Sequence, residues 1–153
     1  MEITLEQLRM AAASAADRQA RAREAAELIQ AARGFHWVGL YDVTPTEIVA
    51  IAWTGKAAPA SPRFPISQGL NGAAVATRQH IIVQDVTNDS RYLTTFGSTR
   101  AEAIFVVASP DDGRIVGTID VESDRTNAFT PEDELFLRQC ADLLTLLWAG
   151  RAN

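Results

Sequence analysis

Residues 113–134, GRIVGTIDVESDRTNAFTPEDE, constrain the fold of this chain more than any other stretch. They read as an apolar strand that ends in two acids and passes at once into a helix. Asp120 and Glu122 lie two residues apart, so on a strand their side chains leave the same face. Ile115, Gly117, Ile119 and Val121 fall on the other. A core-forming strand that turns carboxylates to one side either emerges into water there or lines a polar pocket. Thr130, Pro131, Glu132 and Asp133 then supply an N-cap, a first-position proline and first-turn acids. The helix they start runs to about Trp148. Phe136, Cys140, Leu143, Leu144 and Leu147 share one of its faces, and Leu137, Ala141 and Trp148 widen the stripe.

The segments upstream predict how such a strand is paired. Residues 102–109 repeat the strand pattern and join 114–122 through PDDG, a hairpin turn with glycine in its last place. Nearer the N-terminus, FHWVGLYDV and IVAIAWTG flank the turn-rich TPTE and predict a second hairpin. Residues 56–69, KAAPASPRFPISQG, carry three prolines and predict an irregular crossover with at most a short edge strand. Residues 70–77 predict a short helix and 80–84 a brief strand. The polar stretch 85–99 predicts a loop with a helical turn, the kind of segment that closes over a pocket. Residues 5–32 contain no Gly or Pro and predict one long helix, with Thr4 and Gln7 as a capping box at its start and Gly34 at its end. This order predicts an α+β fold: an antiparallel sheet with the N- and C-terminal helices on one face and the crossover elements on the other, where they leave room for a pocket.

A chain of 153 residues fits one domain, which at this size buries roughly 70% of the surface exposed when unfolded. The net charge of -5, with Arg18, Arg21 and Arg23 interleaved with acids, argues against a nucleic-acid partner. No apolar run approaches the roughly 20 residues that cross a bilayer, and MEITLEQLRM lacks a basic region followed by an apolar block. No membrane association is expected, and the chain reads as cytoplasmic. Cys140, the single cysteine, rules out an internal disulfide and a cysteine-based metal cluster, and it reads as apolar packing. Neither His36 nor His80 has a spaced second ligand, so no metal and no cofactor are expected.

The strand pair AIFVVASPDDGRIVGTIDVES, followed by NAFTPEDELFLRQCADLL, resembles a GAF domain, with the likeness running from about Phe35 to Leu147. Within that family HWVGLY, TGK, FPISQGLNGAAVATRQ and GTIDVES resemble the free methionine-R-sulfoxide reductases. The resemblance implies a single GAF domain over residues 1–153, with the N-terminal helix in 1–33 and the core in 35–148. It also implies that Glu102, Asp120 and Glu122 form an acid set that grips the ammonium group of a free amino acid derivative. Trp37 and Tyr41 would supply an aromatic wall, with Asn71 and Thr95 completing the ligand-binding set. Where those enzymes carry cysteines, this chain has Asn71, Thr94 or Thr95, and the stretch 58–61. Sulfoxide reduction by that route needs an attacking thiolate and a resolving thiol, which threonine hydroxyls do not replace. Phe129, Asp133 and Glu134 also match the F-x-x-x-D-E end of a motif in cyclic-nucleotide-binding GAF domains. Its lysine is missing, and the same residues serve to anchor and cap a helix.

Three readings follow. The first is a sensor-type module for a small molecule, such as an amine-bearing metabolite, without reductase chemistry. The second is a divergent sulfoxide reductase using an external thiol. The third is an interaction domain with no ligand, its pocket filled by side chains. Trp53 reads as core rather than pocket wall. The two terminal helices together carry more apolar surface than one monomer face needs, which favours a homodimer through them over their simply covering each other. No output domain is legible, so signalling would pass through a partner that the sequence does not identify.

Overall fold

The computed structural model describes residues 2–149. Helices α1 (Glu2–Ala13) and α2 (Arg18–Arg33) precede strands β1 (Trp37–Val43), β2 (Glu47–Trp53) and β3 (Arg63–Pro65). Helix α3 (Gly69–Thr77), β4 (Ile81–Val83), a 3-10 turn at Val86–Asn88, β5 (Ala101–Ala108) and β6 (Ile115–Ser123) follow. The chain closes with α4 (Pro131–Leu144) and a 3-10 turn at Thr145–Leu147. The strands form one sheet in the order β3-β2-β1-β6-β5-β4, with every neighbouring pair antiparallel. The α+β architecture matches the sequence expectation, down to the three-residue edge strand in the proline-rich crossover.

Two local expectations are corrected. The N-terminal helix is two helices, because Asp17 leaves the helical conformation and accepts a 2.8 Å bond from the Ala20 N–H as the N-cap of α2. Short polar side chains compete with the helical backbone in this way even in an alanine-rich stretch. The Arg21 Nη1 donates to the Ala12 carbonyl at 2.6 Å and satisfies the end that the break leaves on α1. Thr4 therefore lies inside α1 and caps nothing, whereas Gly34 ends α2 at φ 68° as expected. On β6, the register slips by one residue between Val107↔Gly117 and Ala108↔Ile115, which makes a bulge at Val116. The bulge sends Ile115 to the face of Tyr41 and Phe64, and Val116 joins the opposite core.

That opposite core lies between the sheet and α1, α2 and α4, with Leu8, Ile29, Phe105, Ile119, Phe136 and Leu144 fully buried. Helix α1 packs on α2 and α4, so the terminal helices cover much of each other's apolar surface. Met10, Leu135 and Leu146 are the large apolar side chains left exposed among the described residues. None of the described helices is long and apolar enough to cross a membrane.

A polar node ties this layer to the sheet. Arg18 donates two bonds to Asp42 on β1, at 2.9 and 2.7 Å, and a third to the Leu147 carbonyl at 2.8 Å. Its guanidinium lies 5.2 Å from the Trp148 ring, whose Nε1 donates to Asp42 at 2.7 Å. Asp42→Ala strands three donors, and because the pair is partly exposed the expected loss is about 2 kcal/mol in a denaturant melt. A melt within about 0.5 kcal/mol of the parent would show the node to be ornamental.

Candidate functional site

The face of the sheet opposite α1, α2 and α4 carries the acids. Glu102 on β5 pairs directly across the ladder with Glu122 on β6, and Asp120 stands two residues before Glu122. Like charges opposite one another on a sheet repel, and burial magnifies the cost. Glu102, Asp120 and Glu122 are only 2%, 1% and 1% exposed, and one carboxylate oxygen from each lies within 4.8 Å of the others. Emergence into water, the alternative left open by the strand pattern, is thereby excluded.

Neutral groups satisfy the outer oxygens. The Thr99 hydroxyl donates to Glu122 Oε1 at 2.7 Å, and Asn71 Nδ2 donates to Asp120 Oδ2 at 3.1 Å. Thr118, on the same face of β6, donates to Asn71 Oδ1 at 2.6 Å and so turns the amide nitrogen toward the acid. Asn71 reaches the site because α3 sits close to the crossover. A Cβ on the next residue, Gly72, would lie 2.6 Å from the Ile66 carbonyl oxygen. Asp120 Oδ1, Glu122 Oε2 and Trp37 Nε1 find no partner in the protein. Burial, then the mutual repulsion of the acids, pushes Glu102 well above the usual carboxylate range. The same causes lift Glu122 to about 8, and burial lifts Asp120 to about 6. Burial and the three acids also hold the Tyr41 phenol well above its ordinary value.

Aromatic rings wall the site. The Trp37 indole folds across Gly39, where an added Cβ would stand 2.4 Å from the ring, and Gly39 pairs with Asp120 across the β1–β6 ladder. Phe96 meets Trp37 edge-on at 5.3 Å, and Phe64 meets Tyr41 at 6.0 Å. A cavity of about 10 Å³, room for about one water, is lined by Tyr41, Asn71, Thr95, Glu102 and Asp120. Trp37 and Glu122 are not among the residues that line it. Ser61 and Thr94 also line it. Asn71, Ser61, Thr94 and Thr95 therefore converge on one cavity and line it with an amide and hydroxyls.

Thr99, Thr118 and Phe96 were not singled out from the sequence. Thr118 could have been, since it precedes Asp120 by two residues and shares its face; Thr99, in an irregular loop, gave no signal. Trp53 is half-buried against the Trp37–Tyr41 cluster. Cys140 is buried in the helix-side core, where burial pushes its thiol far up. His80 accepts the Val106 N–H at 3.0 Å and packs on Phe105, and His36 is exposed near Asp124. Asp133 closes a capping box with Thr130 and accepts from Arg33 at 2.7 Å, so the F-x-x-x-D-E residues anchor the start of α4.

An alkylammonium group has three N–H donors and is satisfied by three acceptors. One oxygen from each of Glu102, Asp120 and Glu122 supplies that number.

Residues 17–147 match the model of the GAF domain family. A stretch of 111 residues is 32% identical to GAF domain-containing protein A of Dictyostelium discoideum, covering 72% of this chain and 68% of that protein. The free methionine-R-sulfoxide reductase of Escherichia coli (strain K12) is 28% identical over 118 residues, 77% of this chain and 69% of that protein. The X-ray structure of free methionine-R-sulfoxide reductase from Neisseria meningitidis in complex with its substrate superposes with a TM-score of 0.84 at 28% identity. That superposition covers 95% of this chain and 86% of the other. The curated relatives are thus matched over about two thirds of their length. With the family model spanning both the antiparallel sheet and the helices that flank it, the chain belongs to the GAF domain family.

Proposed function

We propose that this chain is a small-molecule-binding module of the sensor type for an amine-bearing metabolite such as a free amino acid or a derivative, without reductase chemistry. One observation carries the reading: three buried carboxylates, with Asp120 Oδ1 and Glu122 Oε2 lacking any donor, converge beside a cavity that has no thiol. The relatives named as free methionine-R-sulfoxide reductases support the ligand class. That the resemblance puts Asn71, Thr94 or Thr95, and the cysteine-free stretch 58–61 where the reductases carry cysteines supports binding over turnover. Entry of an amino acid requires the 85–99 segment to move, since the cavity admits about one water. The contacts such a movement breaks include the bond from the Ala60 N–H to the Thr95 carbonyl at 3.0 Å, that from Thr99 to Glu122 at 2.7 Å and the packing of Phe96 on Trp37.

Thermal-shift and calorimetric titration against a panel of amino acids that includes free methionine sulfoxide tests the proposal. At least one member is expected to stabilise the chain, by about 2.7 kcal/mol at a hundredfold excess over Kd. Asp120→Asn should abolish that stabilisation. A flat response across the panel would reject the reading, and turnover of methionine sulfoxide that survives Cys140→Ser would favour the reductase instead.

A further inference from the structure

The acid cluster has no cation to balance it. The salt bridges made by the described residues include none of Glu102, Asp120 and Glu122. The groups facing it from the surrounding elements are uncharged: Asn71 from α3, Thr118 from β6, Thr95 and Thr99 from the loop, and the phenols of Tyr41 and Tyr92. Beyond Glu122 lies a second cleft, whose charged and titratable groups are Arg33, bonded to Asp133, and His36 beside Asp124, together with Arg125. Three carboxylates cannot all stay ionised with their oxygens within 4.8 Å of one another inside a protein.

We propose that the cluster is a proton-exchange site: without a ligand it holds a proton in place of a cation, and an entering ammonium group expels that proton. The inference rests on the amine reading above and adds its regulation by pH. The exchange balances in charge and atoms. One R–NH3+ enters with its own three hydrogens, one carboxyl O–H ionises, and one H+ passes to solvent. Geometry marks the place of exchange, because Asp120 Oδ1 and Glu122 Oε2 lack any amide, hydroxyl or cationic donor and are left to the shared proton, while the other oxygen of each is already held by Asn71 or Thr99. The raised proton affinities of Glu102 and Glu122 accord with this arrangement. The protonated form then competes with the ligand, so affinity rises with pH by up to about tenfold per unit for each proton released.

Carboxyl 13C NMR of the whole chain, labelled at Asp and Glu, reads the proton directly. Glu102→Gln and Glu122→Gln assign the resonances. Methylammonium chloride and the amino-acid panel serve as probes, with calorimetry in two buffers of different ionisation enthalpy. The expected result is a carboxyl still protonated at pH 7 that ionises on saturation, with affinity about tenfold greater at pH 7 than at pH 6. Ionisation of all three acids below pH 5 overturns the exchange and leaves the amine reading standing. Binding with no proton release overturns it likewise. No binding by any probe, with a carboxyl still protonated at pH 7, overturns the amine reading and the exchange with it.

Discussion

At pH 9 the Glu122→Gln variant should be more stable than the parent chain by about 2–4 kcal/mol, although it removes a group from the centre of the fold. Glu122 is buried opposite Glu102, and its proton affinity in the folded chain is raised to about 8. A carboxyl whose folded value lies above its unfolded value binds more protons when folded. Its contribution to stability is therefore greatest in acid and is lost as pH rises from about 4.5 to about 8. Glutamine fixes the neutral form. Its oxygen can still accept from Thr99, and its amide can donate where Glu122 Oε2 has no partner. Denaturant melts at pH 5 and pH 9 should show a small difference at the lower pH and the full gain at the higher. Equal stability at both would mean that Glu122 is not strained in the folded chain. Such a gain has the direction expected when a site is kept at the expense of the fold.

Gly117→Ala should have the largest cost of any single methyl addition in the sheet, about 3–5 kcal/mol once lost bonds join the overpacking. A Cβ at Gly117 would stand 2.1 Å from Cζ2 of Trp148, whose indole lies flat on the strand at that point. To make room the ring has to swing away from Asp42, which breaks the 2.7 Å bond from its Nε1 and separates it from Arg18. Loss of most of the folded population at 37 °C, restored in part by a second change of Trp148→Leu, is the outcome to look for. A melt within 1 kcal/mol of the parent would show that the C-terminal turn has room to yield.

The sheet was legible because its signals are periodic and local. Alternation along 117–122, the PDDG turn and the capping residues at Thr130 and Asp133 each fix one element without help from elsewhere. The acid pair Asp120 and Glu122 was legible for the same reason. Their burial was not, since it depends on α3 and the 85–99 segment closing over that face. Alanine-rich composition masked the helix break, which turns on one side chain, Asp17, finding the Ala20 N–H. Ile115 was assigned to the wrong face because strict alternation does not survive a bulge, and nothing in GRIVG announces one. Thr99 was missed because an irregular loop has no period from which a direction can be read.

Trp37 has an optical consequence. Its indole lies across Gly39 beside the acids and meets Phe96, a residue of the segment that must open to admit a ligand. Trp148 lies across the sheet, packed in the helix-side core. Displacing Phe96 replaces a hydrocarbon edge with water against the Trp37 ring while leaving Trp148 untouched. The opening of the site is thus coupled to the polarity around Trp37, read against the half-buried Trp53 and the buried Trp148, and the chain carries its own reporter of occupancy.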